Sequence, residues 1–108
     1  MPSELTSENF KTEVTESTLP VVIKASAAWC GPCIQMAPIF KEVEKQFVGK
    51  VKFLELNVDQ SRDLAINFGI TSIPTLIFIK NGAIVNKEMG FMDAQTLTQI
   101  INSAYSIT

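Results

Sequence analysis

The stretch VVIKASAAWCGPC (residues 21–33) leads from a short apolar run into both cysteines of the chain, Cys30 and Cys33. The run is rich in β-branched residues and too short for a buried helix, so we predict a strand over Leu19–Ala25. Beyond the cysteines, apolar residues recur at helical spacing, which predicts a helix over Cys33–Phe47. The two cysteines therefore lie where a buried strand gives way to the start of a helix.

Strands and helices alternate through the rest of the chain. Asn81-Gly82, between two apolar runs, is a strong signal for a two-residue β-hairpin. Strands separated by helices pair in parallel, whereas a hairpin adds an antiparallel strand. We therefore predict an α/β fold with a mixed central sheet of four to five strands and helices on both faces. The other predicted elements are a short helix over Ser7–Glu16, a strand over Val51–Val58, a short helix over Ser61–Phe68, two strands within residues 75–89, a final helix capped by Asp93 and a short strand near Leu5.

Length, charge and composition exclude several classes of protein. At 108 residues the chain fits one domain, 1–108, and its net charge of -2, with interspersed charges, leaves no basic patch for nucleic acid. Its apolar runs are far shorter than the ~18 residues of a membrane span, and the polar amino terminus does not resemble a secretory signal. We therefore expect a soluble cytoplasmic protein that is a monomer. The absence of histidine excludes any histidine-dependent triad or metal site within the chain.

The spacing of Cys30 and Cys33 favours redox chemistry over two structural alternatives. Residues three apart at the start of a helix share a face, at a separation that a disulfide can bridge. The free amides and the dipole of a helix start favour an anion, so the Cys30 thiol should ionise and attack a disulfide, and Cys33 would then attack the mixed disulfide. A structural disulfide closing so small a loop would stabilise little. A zinc site needs four ligands, so two cysteines without histidine would require a dimer.

Several motifs together resemble the thioredoxin family. Trp29-Cys30-Gly31-Pro32-Cys33 reproduces that family's active-site motif, and the resemblance extends over nearly the whole chain. It implies the thioredoxin fold and the activity of a protein-disulfide reductase, which is a thiol–disulfide oxidoreductase and an electron carrier. Further matches, each weak alone, occur in the family's order and spacing: Ala37-Pro38, LNVD at 56–59, SIPT at 72–75, KNG at 80–82 and Gly90.

The resemblance also implies residue roles and partners. Cys30 would be the exposed nucleophile and Cys33 the resolving thiol, and a cis Ile73–Pro74 bond would turn the Ile73 backbone toward a client docking as an added strand. The chain itself would bind no cofactor and no metal. A flavin-containing, NADPH-dependent thioredoxin reductase would reduce it, and disulfide-containing proteins would be its clients. The substrate-binding patch around the cysteines would consist of Trp29, Gly31, Pro32, Ile73, Pro74 and Gly90.

Two charged residues depart from the family pattern. Thioredoxins usually carry a buried aspartate six residues before the first cysteine and a lysine on the neighbouring strand, where this chain has Lys24 and Glu55. Since an unpaired buried charge costs several kcal/mol, we hypothesise that the two pair beneath Cys33. Glu55, or a water that it orients, would then be the candidate base for Cys33, unless the Lys24 charge alone favours the Cys33 thiolate. In the alternative, both side chains face solvent and neither takes part in the chemistry.

Two other functions are compatible with the motifs. The chain could be a binding module whose redox state switches its contact with one partner, through an exposed apolar ring predicted at Trp29, Ile34, Ile73 and Met92. It could also be an oxidising or isomerising relative, although such proteins usually change the two residues between the cysteines. Acceleration of insulin reduction that is lost in Cys30→Ser would separate catalysis from binding.

Overall fold

One mixed β-sheet organises the residues that this computed structural model describes, which are residues 2–107. Its strands are β1 (Ser3–Glu4), β2 (Val21–Ser26), β3 (Lys52–Asn57), β4 (Thr75–Lys80) and β5 (Ala83–Met89). Within that range they form a five-stranded sheet in the order β1-β3-β2-β4-β5. β1, β3 and β2 are parallel, whereas β4 is antiparallel to both β2 and β5. The predicted mixed sheet is confirmed, with the short strand near Leu5 at one edge.

The helices begin where the sequence supplies caps. They are α1 (Gly31–Glu44), which a 3₁₀ turn at Lys45–Phe47 continues, α2 (Arg62–Asn67) and α3 (Ala94–Tyr105). α1 starts two residues earlier than predicted, because Cys30 takes the capping position and Pro32 fits the first turn, where no intrahelical amide bond is needed. Asp93 caps α3 as predicted, since its Oδ1 accepts a hydrogen bond from the Thr96 amide at 2.8 Å.

The predicted helix over Ser7–Glu16 is wrong in extent and in type. The segment instead forms a π-helical turn at Lys11–Thr15, in which the Glu16 amide donates to the Lys11 carbonyl, five residues earlier, at 2.8 Å. Before this turn, the Asn9 side chain accepts a hydrogen bond from the Thr6 amide at 2.8 Å. Such side-chain bonds to the backbone compete with helix formation, and here they replace the predicted first turn.

The hairpin between β4 and β5 has the predicted turn. Asn81 and Gly82 both have positive φ, at 53° and 78°. Two consecutive residues of positive φ define the type I′ turn, whose twist matches that of the strands it joins. The turn therefore fixes β5 as the antiparallel edge of the sheet.

Each face of the sheet carries its own hydrophobic cluster. On the first, called the α1/α3 face, side chains of β2, β3 and β4 pack against those two helices. On the other, called the α2 face, the strands pack against α2 and the π-helical turn. The α1/α3 cluster consists of Val22, Met36, Phe40, Val43, Phe47, Val51, Phe53, Leu76, Phe78, Met92, Leu97, Ile101 and Tyr105. The α2 cluster consists of Leu5, Val14, Val21, Ile23, Ala25, Leu54, Leu56, Leu64, Ile77 and Ile79.

Tyr105 joins the end of α3 to the sheet. Its hydroxyl accepts a hydrogen bond from the Ile79 amide at 3.0 Å and donates one to the Val21 carbonyl at 2.5 Å. Val21 and Ile79 are opposite each other on β2 and β4, so one side chain satisfies a polar group on each strand. Burial raises the pKa of Tyr105 well above its ordinary value of 10.0, although the hydrogen bond from Ile79 acts in the opposite direction.

The length and apolar character of the helices within residues 2–107 can be compared with what a membrane span needs. None of them combines the length and the apolar character that crossing a bilayer requires.

Candidate active site

The start of α1 holds the two cysteines together. Cys30 and Cys33 form a disulfide with their Cα atoms 5.2 Å apart, within the usual range for such a bond. Cys30 is the N-cap of the helix, and its Sγ accepts a hydrogen bond from the Cys33 amide at 3.3 Å. Backbone amides at a helix start stabilise negative charge, so this sulfur lies where a thiolate is favoured.

The cysteines are less accessible than an exposed nucleophile implies. Cys30 is 6 % exposed and Cys33 2 %. Both pack with Ala27, Val58 and Ile73, and the bond between the two sulfurs removes further surface. The prediction of an exposed nucleophile is therefore wrong for this disulfide form, in which Cys30 is buried.

The segment before β4 brings a backbone carbonyl to the disulfide. The Ile73–Pro74 peptide bond is cis, as the resemblance implies. The Ile73 carbonyl oxygen lies 3.9 Å from Cys30 Sγ. Behind it, the Gly90 amide donates to the Pro74 carbonyl at 2.8 Å, with Gly90 at a φ of 96° that favours glycine. Residues 73, 74 and 90 thus form one side of the site.

Trp29 lies on the outer surface of the site and is 70 % exposed. Its Nε1 donates a hydrogen bond to Asp59 Oδ2 at 2.7 Å, which fixes the ring relative to the turn after β3. Asp59 is not among the predicted site residues, and in the sequence it stands out only as the end of LNVD. The predicted parallel pairing of β2 and β3 could have indicated this contact. The carboxyl ends of parallel strands lie at the same edge of the sheet, and Trp29 follows β2 while Asp59 follows β3.

Lys24 and Glu55 face each other beneath Cys33. They are register partners on β2 and β3, with Lys24 Nζ 3.3 Å from Glu55 Oε1. The predicted ion pair is therefore present, but its burial is unequal, because the Lys24 side chain is 2 % exposed and that of Glu55 is 37 % exposed. Lys24 Nζ also lies 5.4 Å from the centre of the Phe40 ring, at cation–π distance.

A cavity connects this pair to Cys33. It has a volume of about 210 Å³, and Cys33, Lys24 and Glu55 all line it. Ser26 and Asn57 add polar atoms, and Glu4 lies at its edge on the neighbouring strand β1. The structure thus brings the four charged or sulfur-bearing residues predicted to be catalytic into one region, with Cys30 on the outer side of the disulfide.

The predicted apolar ring is only partly correct. Trp29 and Ile34 are exposed and Ile73 is half-buried, but Met92 is buried in the α1/α3 cluster. Met92 precedes the cap of α3, and Leu97, in the same cluster, occupies the fourth helical position, the pairing of a hydrophobic staple. Phe91 is the exposed side chain beside Gly90 instead.

Metal chemistry finds no support among the described residues. Residues 2–107 contain no group of three or more cysteine, aspartate or glutamate side chains arranged to hold a metal ion. The disulfide, the helix start and the polar cavity can instead carry out thiol–disulfide exchange, which needs a stabilised thiolate and a second thiol within reach.

Comparison with known proteins agrees with this chemistry. The thioredoxin family model matches residues 1–103. The chain is 39 % identical to a thioredoxin of Rickettsia felis over 96 % of the chain and 99 % of that protein. It is 38 % identical to thioredoxin 1 of a Nostoc species, over 92 % of both chains, and 39 % identical to a thioredoxin of Haemophilus influenzae, over 87 % and 88 %. The chain belongs to the thioredoxin family of thiol–disulfide oxidoreductases.

Proposed function

We propose that this chain, acting as one domain, reduces disulfides in client proteins, with Cys30 as the attacking thiolate and Cys33 as the resolving thiol. The observation that carries the proposal is the Cys33 amide 3.3 Å from Cys30 Sγ at the start of α1. A hydrogen bond and a helix dipole aimed at that sulfur favour its anion, which is the attacking species in exchange.

The exchange runs in two displacements. The Cys30 thiolate forms a bond to one client sulfur and releases the other as a thiolate. The Cys33 sulfur, having lost its proton, then attacks Cys30, forms the Cys30–Cys33 disulfide and releases the second client sulfur. The pair gives up two electrons, and the client sulfurs take up two protons from solvent. The product is the disulfide form of the site.

Clients are proposed to dock on the patch of Trp29, Gly31, Pro32, Ile73, Pro74 and Gly90. A client backbone in extended form could accept and donate hydrogen bonds at the Ile73 segment, close to Cys30. The space beside Gly31 is open, since a Cβ placed there would meet no atom within 4 Å. A groove of about 190 Å³ between Trp29 and Ile73 offers an apolar site for a client side chain.

Glu55, or a water that it orients, is proposed to accept the proton of Cys33. Glu55 and Cys33 line the same cavity, and Glu55 is exposed enough to exchange protons with solvent. Lys24 Nζ lies 3.3 Å from Glu55 Oε1, so the ion pair holds the carboxylate beside the cavity. Without histidine in the chain, a carboxylate at this place is the natural acceptor.

The partners follow from the family. Thioredoxins in general work with a reductase and with disulfide-bearing clients, and they hold no cofactor of their own. For this chain we propose a flavin-containing, NADPH-dependent thioredoxin reductase as the electron source, action as a monomer, and a cytoplasmic location, where reducing conditions keep such thiols in use.

The test is reduction of insulin by dithiothreitol, followed as turbidity of the released chain. We expect strong acceleration by the wild type and none by Cys30→Ser, whereas Cys33→Ser should accumulate as a mixed disulfide with the client. A wild type that binds insulin without accelerating its reduction would contradict catalysis and favour the binding module.

A further inference from the structure

We propose that Lys24 shifts the dithiol–disulfide equilibrium of the Cys30–Cys33 pair toward the reduced form and so makes the pair a milder reductant. The inference rests on the proposed function and specifies its clients. A milder reductant acts on strained or exposed disulfides, which have higher potentials, rather than on stable structural ones.

The first step is the unequal burial of the ion pair. Among residues 2–107, Lys24 is the one buried side chain that carries a charge. Its partner Glu55 is more than one third exposed, so water screens the carboxylate but not the ammonium group. At a point inside the protein, the electrostatic potential of the buried Lys24 therefore exceeds the opposing potential of the screened Glu55.

The second step concerns the other groups around the cavity that reaches Cys33. Apart from the pair itself, the cavity that reaches Cys33 is lined by neutral Ser26, Asn57 and small apolar residues, and by Glu4, which is exposed. On the helix side, Lys24 Nζ lies 5.4 Å from the centre of the Phe40 ring, which carries no net charge. The residual potential at Cys33 is therefore positive.

The third step is the charge balance of the reaction. Reduction breaks the Cys30–Cys33 bond with two electrons, and each sulfur then carries either a proton or a negative charge. A positive potential stabilises a thiolate and has no comparable effect on the neutral disulfide. Stabilising the reduced form makes a dithiol pair a stronger oxidant, and hence a weaker reductant. Lys24 is a positioning residue in this scheme, since it acts through its charge on a sulfur.

The experiment measures the equilibrium of the full chain with dithiothreitol, by alkylating free thiols at defined ratios of reduced to oxidised dithiothreitol. The variants are Lys24→Met, which removes the charge and keeps the length, and Glu55→Gln, which leaves the lysine without its counter-charge. Lys52→Met is the matched control. Like Glu55, Lys52 lies on β3. Its Nζ is 3.9 Å from Glu13 Oε1, but it does not line the cavity.

We expect Lys24→Met to lower the equilibrium constant for reduction about tenfold, which equals about 30 mV, and Glu55→Gln to raise it by a smaller factor. Lys52→Met should leave it unchanged. Shifts in opposite directions distinguish a charge effect from loosened packing, which would move both variants the same way. No shift in Lys24→Met, or a shift in the same direction as Glu55→Gln, would overturn the inference.

Two controls keep the outcome decisive. If Lys24→Met does not fold, Glu55→Gln alone decides, because a constant that falls or stays the same contradicts a positive potential at Cys33. The insulin assay, run separately on the wild type, tests the proposed function. If the wild type is inactive on insulin, the proposed function is rejected. If the equilibrium constants of the two variants nevertheless shift in the expected opposite directions, the effect of Lys24 is still supported.

Discussion

The α2 face and the α1/α3 face of the sheet differ in where they place charge. On the α2 face, β2 and β3 bring together Ile23 with Leu54 and Ala25 with Leu56, and the charge of Lys52 lies at the far end of the strand. On the α1/α3 face, the register pair next to Val22 and Phe53 is charged: Lys24 with Glu55. The same two strands thus build one face that is apolar throughout its centre and one that becomes polar toward the cysteines.

This difference suggests that packing and chemistry depend on different parts of the sheet. Both faces bury large apolar side chains, and that burial is the main source of stability. The charged pair on the α1/α3 face imposes a desolvation cost, yet it lines the same cavity as Cys33. We infer that the α2 face serves stability and that the end of the α1/α3 face serves exchange.

The largest effect is expected from truncation on the α2 face. Ile77→Ala should lower the free energy of unfolding by about 2–5 kcal/mol, because Ile77 is fully buried and the cavity cannot refill. The matched variant Ile77→Val should lose only about 0.5–1.5 kcal/mol. Urea unfolding measures both. Insulin reduction per folded molecule should stay at the wild-type rate, and a loss of rate in folded protein would break the separation of the two faces.

A smaller loss of stability is expected on the α1/α3 face. Glu55→Ala should lower the free energy of unfolding by about 1–3 kcal/mol, since it leaves Lys24 buried without its partner. Measured with Lys24→Ala and the double variant, the effects should be non-additive by about 0.5–3 kcal/mol. Rates of disulfide reduction should fall as well. Additive losses across this cycle would show that the two residues do not act as a pair.

Tyr105→Phe tests how α3 is attached to that face. The free energy of unfolding should fall by about 1–3 kcal/mol, because the Ile79 amide and the Val21 carbonyl lose their shared partner. Burial raises the pKa of Tyr105, so the unfolded chain ionises first and the stability that depends on the neutral hydroxyl is lost as pH rises above 10.0.

Tyr105 is the single tyrosine of the chain, so the absorbance of tyrosinate reports its titration directly. Below that pH the wild type should be the more stable protein, and the gap to Tyr105→Phe should narrow on further increase. Parallel stability profiles of the two proteins through the alkaline range would contradict the account.

The smallest effect concerns the cap of α3. The hydrogen bonds from Thr96 lower the pKa of the Asp93 carboxyl, so its stabilising effect is present above the unfolded value of about 3.9 and is lost as pH falls through the folded value. Asp93→Asn keeps a capping side chain without a titrating charge. Melting temperatures should therefore fall slightly more in acid for the wild type than for Asp93→Asn. Coincident acid profiles would reject a role for the charge.

The central strands could be predicted from the sequence because both of their sides are buried. Predicted bounds of Leu19–Ala25 and Val51–Val58 compare with Val21–Ser26 and Lys52–Asn57 in the structure. A largely apolar run, interrupted by one charge in residues 19–25 and by two in residues 51–58, leaves few alternatives to a buried strand. The same reasoning found the Lys24 pair, since a buried charge requires a partner.

The errors arise from side-chain contacts, both local and long-range, that the apolar pattern does not report. Met92, predicted in the exposed ring, is buried in the α1/α3 cluster, and Glu55 is 37 % exposed although its partner Lys24 is buried. Asp59 reaches Trp29 across 30 positions of sequence, which no local pattern reports. In the amino-terminal segment, the side chain of Asn9 overrides helical periodicity.

The facing positions of Lys24 and Glu55 also have a consequence for how the chain folds. If β3 slipped by one residue against β2, a leucine would lie opposite Lys24 and the carboxylate would enter the α2 cluster. Each misaligned state would leave a charge unpaired in an apolar environment. The pair therefore favours the native register of β2 and β3 while the sheet forms. Replacing both residues by methionine would remove that selection, and we expect faster amide exchange in β3 as the alternatives become populated.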